Sequence, residues 1–168
     1  MTTKMSTATT AITAIAVFDS KKVKGTVHFT ENLAENNVTI MLDIRGLGKN
    51  KLHGFHVHEY GDMSDQCTSM CNHFNPYGKN HGGPISTDRH VGDLGNITSD
   101  ANGCAKYGFT DSVIRLRGTK SNIIGRGLII HADEDDLGLG SESDSLITGH
   151  AGARIACAVI GYSNKKAK

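Results

Sequence analysis

Five histidines and an aspartate fall between Gly54 and Asp93, and several are spaced as metal ligands. The stretch opens with Gly54-Phe55-His56-Val57-His58-Glu59 and closes with Asp88-Arg89-His90-Val91-Gly92-Asp93, with His73 and His81 between. A sixth histidine, His131, follows the apolar run Leu128-Ile129-Ile130. Alternate side chains of a strand share a face, so His56 and His58 project together while Val57 faces a core. Paired imidazoles suit copper, zinc, iron or nickel. His73, His81, His90 and Asp93 lie where Asn75-Pro76, Gly78 and Gly82-Gly83-Pro84 break regular structure. Three imidazoles and a carboxylate match tetrahedral zinc. Six histidines and an aspartate exceed one four-coordinate ion. Seven residues serve two such ions if one imidazole uses both ring nitrogens, which needs a cation on each side.

The elements that must carry these residues read as strands. β-Branched and alternating runs place strands at 11–18, 23–30, 38–44, 52–58, 91–98, 104–110, 128–131 and 154–162, with no helix. Asp100-Ala101-Asn102-Gly103 marks a hairpin turn. Two long irregular segments, about 59–90 and 132–153, have the length of functional loops. The expected fold is all-β, an eight-stranded antiparallel Greek-key barrel or sandwich of immunoglobulin-like type. The chain reads as a single domain over 1–168, its core about 11–162, with flexible ends at 1–10 and 163–168.

Eighteen basic and seventeen acidic residues give a net charge of +1, and no basic stripe marks a nucleic-acid partner. Lys165-Lys166-Ala167-Lys168 reads as a solvated tail. No apolar run is long enough for a membrane helix. The run 11–18 reads as a first strand rather than a signal core, since Lys4 is the lone cation before it. A cytoplasmic protein is expected.

The phrases GFHVHEYGD, HFNPYGKNHGGP, RHVGDLGN, GLIIHADEDDLG and GHAGARIACAVIG closely resemble the copper/zinc superoxide dismutases, in order, over about 11–162. The resemblance implies one copper per chain on His56, His58, His73 and His131, and one zinc on His73, His81, His90 and Asp93, with His73 as the bridge. It implies dismutation of superoxide to dioxygen and hydrogen peroxide, an antioxidant activity. It also implies that Arg154 guides the anion, that His73 carries a proton, and that Asp135 links His56 to His81 from behind. It pairs Cys67 with Cys157. It matches Tyr60-Gly61, Ile123-Ile124-Gly125 and Val159-Ile160-Gly161-Tyr162 to the dimer surface of the eukaryotic-type enzymes, so a homodimer is expected. A metal buffer without turnover and a single-zinc structural protein are the rival readings. All seven metal positions and Arg154 are present, which favours the enzyme.

Several residues depart from that pattern. Cys71 replaces the small residue usual before the bridging histidine, and Cys104 reads as a core or edge residue. Ala153-Arg154-Ile155 contains no proline, which is associated with independence from a copper chaperone. The loop 132–153 has no lysine or arginine, but six acidic residues: Asp133, Glu134, Asp135, Asp136, Glu142 and Asp144. Ile147 stands where a lysine is common. Weaker steering of superoxide is therefore expected, with a shallower fall of rate in salt unless Lys79 and Arg89 supply another cationic patch. His150 reads as a spectator that adds charge at low pH. His28 and His53 read as non-ligands.

Overall fold

The computed structural model describes residues 11–164. Its strands are β1 (Ile12–Asp19), β2 (Lys24–Asn32), β3 (Asn37–Arg45), β4 (Leu52–His58), β5 (Asp93–Thr98), β6 (Cys104–Ala105), β7 (Gly108–Asp111), β8 (Gly127–His131) and β9 (Arg154–Tyr162). They form one antiparallel sheet in the order β5-β4-β8-β9-β1-β2-β3-β6, with β7 also on β3. Strands adjacent in space but remote in sequence give the Greek-key, nearly closed barrel expected from the sequence. The single strand expected over 104–110 is split in two. Ile44↔Ala105 and Met41↔Gly108 nevertheless share one register on β3, and the Leu42 amide donates to the Tyr107 carbonyl between them. β6 and β7 thus act as one interrupted edge strand, giving eight in effect.

Burial explains which strands carry chemistry. β1 and β3 alternate between buried and accessible residues, as strands with one wet face do. β4 and β8 are buried on both faces. Phe55, Val57, Leu128 and Ile130 face the barrel core with Phe29, Ile40 and Ile97. The opposite face of β4 holds His56 and His58, which the long loops cover.

The loops have short helical pieces that the sequence reading did not expect. Thr68–Met70 forms a 3-10 turn. Ser145–Thr148 forms a single α-helical turn, α1, entered at Asp144 and closed at Gly149, whose φ of 67° lies in the left-handed region that glycine tolerates. Cys67 is bonded to Cys157, tying the first loop to β9. At the far end of β9, the Ser163 amide donates to the Thr13 carbonyl at 2.9 Å. Of the expected flexible ends, 1–10 and 163–168, residues 1–10 and 165–168 lie outside the described residues.

Candidate metal centre

β4 supplies the first two imidazoles on one face. A register shift between Gly54 and His56 brings Asp93 of β5 opposite His56. A second shift on the β8–β9 pair sets His131 opposite Arg154. Such shifts re-aim side chains at barrel rims. His73 approaches through an isolated bridge to His58, and its ring lies 4.0 Å from that of His56.

Two groups of side chains converge. His56, His58, His73 and His131 offer ligand atoms within 4.8 Å of one another, and so do His73, His81, His90 and Asp93. All seven are buried, and His73 belongs to both groups.

The hydrogen bonds fix which nitrogen each ring presents. His56 donates from Nε2 to Asp135 Oδ2, His58 from Nδ1 to the Cys71 carbonyl (both 2.8 Å), and His131 from Nδ1 to the Gly152 carbonyl at 3.0 Å. That leaves His56 Nδ1, His58 Nε2, His73 Nε2 and His131 Nε2 buried without partners. A buried polar atom without a partner is costly, and four lone pairs aimed at one point fit a cation. Burial holds His56, His58 and His73 below the ordinary histidine range, and lowers His131 to about 4. Neutral imidazole is the ligand form, and the donor set suits copper.

The second group gathers on Asp93. Its Oδ1 lies 2.9 Å from His73 Nδ1 and 3.1 Å from both His81 Nδ1 and His90 Nδ1. The contact to His81 lacks hydrogen-bond geometry, so that nitrogen stays unpartnered. Oδ2 accepts the backbone amides of His90 at 2.8 Å and Gly82 at 3.1 Å, which holds the carboxylate still. Three Nδ1 atoms around a carboxylate oxygen suit zinc. His73 thereby presents Nδ1 to this group and Nε2 to the other.

Asp135 stands behind both groups. Oδ2 meets His56 Nε2 and Oδ1 meets His81 Nε2, each at 2.8 Å. Burial works against a charge on His81, but Asp135 and Asp93 on its two nitrogens outweigh it and raise the ring to about 9. Burial likewise opposes the charge on Asp135, yet the two histidines hold its carboxyl well below the usual range.

A cavity of about 220 Å³ opens on the copper-suited group, lined by His58, His73, His131, Arg154, Asp144 and Ile147. The Arg154 Nη1 donates to the carbonyls of Cys67 at 2.7 Å and Thr68 at 3.2 Å, and Nη2 donates to that of Cys71. Three carbonyls fix the guanidinium beside the cavity.

Asp136, the next carboxylate along, instead accepts from Gly138 N and Ser145 Oγ. His53 is buried against the His131 carbonyl, with Nδ1 at 2.8 Å; His28 is half-buried on β2. Cys71 is a free, exposed cysteine outside both ligand groups, and Cys104 is free and half-buried at the sheet edge. Arg89 is not part of a surface cationic patch. It is buried and pairs with Asp111 at 2.7 Å, which cancels its charge locally.

Two contributors escaped the sequence reading. Asn96 donates to the Asp135 carbonyl at 2.8 Å and accepts the Asp135 amide at 2.7 Å, seating that residue. Gly149 leaves room that a Cβ would fill, 2.0 Å from Asp135 Oδ1 and 2.5 Å from His81 Nε2.

Fold and site together define a β-barrel protein with two overlapping metal-binding groups that share one imidazole. A family model described as copper/zinc superoxide dismutase (SODC) matches residues 23–160. The chain belongs to that family. It is 60% identical over 157 residues to the Superoxide dismutase [Cu-Zn] of Paramecium bursaria Chlorella virus 1, covering 94% of this chain and 82% of the relative. It is 51% identical over 153 residues to the Superoxide dismutase [Cu-Zn] of Yarrowia lipolytica, covering 90% and 99%. An Extracellular superoxide dismutase [Cu-Zn] of Drosophila melanogaster is 51% identical over 143 residues, covering 85% and 78%. Among solved structures, the clock protein EA4 superposes with a TM-score of 0.87 at 42% identity, covering 92% of this chain and 97% of that one.

Proposed function

We propose that this chain dismutes superoxide at a copper held by His56, His58, His73 and His131, beside a zinc held by His73, His81, His90 and Asp93. One observation carries the assignment: four unpartnered, buried ring nitrogens converge beside an arginine-lined cavity. Copper would supply the one-electron exchange, oxidising one superoxide to dioxygen and reducing a second, while zinc keeps one oxidation state. The protein's part is positioning and proton handling. Arg154, fixed by its carbonyls, holds a small anion beside His58 and His131. His73 Nε2 can carry a proton to the point where hydrogen peroxide forms, a general-acid role. Asp135 keeps the His56 and His81 rings oriented.

Metal analysis combined with a superoxide assay tests this reading. One copper and one zinc per chain with turnover is expected; bound metal without turnover would mark a metal buffer.

The same reading extends to assembly and place. Tyr60, Val159 and Tyr162 are exposed while Ile123 and Ile160 pack inward, and the exposed three support a homodimer surface. Sedimentation should give twice the chain mass. Among the described residues no helix is long and apolar enough to cross a membrane. The apolar run near the N-terminus is β1, paired with β2 and β9. We place the chain in the cytoplasm, and cell fractionation tests this. We also read the chain as a single domain. Because no proline flanks Arg154, the Cys67–Cys157 bond should form without a copper chaperone. A fully reduced, copper-free product from cells lacking that chaperone would refute this.

A further inference from the structure

The mouth of the cavity carries a carboxylate and no lysine. Asp144 lines the cavity with Ile147 and Thr148, and an anionic substrate entering there meets its charge. The loop 132–153 contains no lysine or arginine to offset it. His150 stands in their stead. Its Nδ1 lies 2.7 Å from Asp144 Oδ1, while Thr148 Oγ1 occupies Oδ2 at 3.0 Å. The fold builds this contact. Asp144 begins the single turn α1, and Gly149 reverses the chain just past its end. His150, itself at a φ of 49°, is thereby folded back onto the residue that starts the turn.

Resting on the dismutase reading above, we propose that His150 is a specificity-determining residue: its imidazolium, seated on Asp144, masks the carboxylate at the cavity mouth and admits an anionic substrate. The charged and titratable groups around the pair are Glu142 and Asp136 on the same loop, and Arg154, His58, His73 and His131 across the cavity. The acidic neighbours favour the charged ring; Asp144 is the largest influence and raises His150 above the ordinary histidine value. With His150 protonated, the pair carries no net charge. As pH rises and His150 loses its proton, the carboxylate is bare, and Arg154 remains the one full cation among the lining residues. Ile147 cannot replace the lost charge.

The copper- and zinc-loaded protein, H150Q and D144N are the test, with two readouts. In the wild type, the superoxide rate constant at low salt should fall roughly twofold as pH rises through the His150 ionisation, the size expected for a unit charge in a water-like setting. H150Q should be slower by that factor at pH 6 and lack the step. D144N should be faster at high pH. The second readout is an NMR titration of the His150 ring, which needs no turnover: its midpoint should lie above 6.5 in the wild type and drop toward 6.5 in D144N. A His150 midpoint no higher than in D144N, or matching pH profiles for wild type and H150Q, overturns the proposal. Absence of turnover from the wild type would instead strike the dismutase reading, and the ring titration keeps the two failures apart.

Discussion

His58 and Arg154 share one acceptor, the carbonyl of Cys71. The ring donates from Nδ1 at 2.8 Å and the guanidinium from Nη2. A copper-suited histidine and the cation proposed to guide the anion are thus set by the same peptide unit, so their separation does not depend on side-chain packing alone. Lysine at 154 would keep the charge but lacks the planar fork that reaches Cys67, Thr68 and Cys71 together. R154K should lower kcat/KM for superoxide with copper and zinc content unchanged. R154Q should lower it further, by roughly 10- to 100-fold, the worth of a charged hydrogen-bonding group. Assay with parallel metal analysis checks both. An unchanged rate would remove Arg154 from the site.

That peptide unit hangs on the Cys67–Cys157 bond, which spans a sequence separation of 90 residues. Closing a loop of that length stabilises the chain by about 4 to 5 kcal/mol in the chain-entropy model. C157S should therefore lose stability of that order in denaturant. It should also lose activity beyond its loss of folded protein, because the carbonyls that hold Arg154 belong to the released loop.

Asp135 receives one ring from each metal group, at 2.8 Å on each oxygen. D135N can accept on its amide oxygen but not on both atoms, so one ring loses its orienting acceptor. Weaker retention by roughly 10- to 100-fold is expected at one site or both. Competition with a chelator, read separately for copper and zinc, checks it. N96A should produce a milder version, since Asn96 holds only the backbone of Asp135.

The metal-free protein should weaken in mild acid. Burial lowers His131 to about 4, below the ordinary 6.5, and moves His56 and His58 the same way. A depressed histidine contributes fully above its unfolded value, and that contribution is lost as pH falls from 6.5 toward 4. For His131 alone the loss amounts to roughly 3 kcal/mol. His81 behaves oppositely: raised to about 9, its contribution is present below 6.5 and lost as pH rises through 9. Denaturant midpoints of the chelated protein should fall between pH 6.5 and 4. A flat profile there would mean these rings are not buried neutral.

Much of the centre was legible because strand geometry has a period of two. His56-Val57-His58 declares two imidazoles on one face, and β4 places them so. His131 was legible as the end of an apolar run, and its position opposite Arg154 required the register shift on β8, which leaves no mark in the sequence. Arg89, named with Lys79 as a conditional cationic patch, is instead buried. Arginine is seldom fully buried, and only the fold reveals its partner Asp111, which lies 22 positions away. Asn96 and Gly149 act through one backbone segment and one empty volume, and neither carries a recognisable pattern. The turn α1 is a single turn and too short for any periodicity, so the clasp of His150 on Asp144 stayed hidden with it.

Crystals of the metal-loaded protein, measured for anomalous scattering at the copper and zinc edges, test the shared imidazole most directly. The geometry predicts a copper peak on the Nε2 side of His73 within reach of His56, His58 and His131, and a zinc peak on its Nδ1 side beside His81, His90 and Asp93. A lone ion, or two ions that do not share the His73 ring, would contradict it.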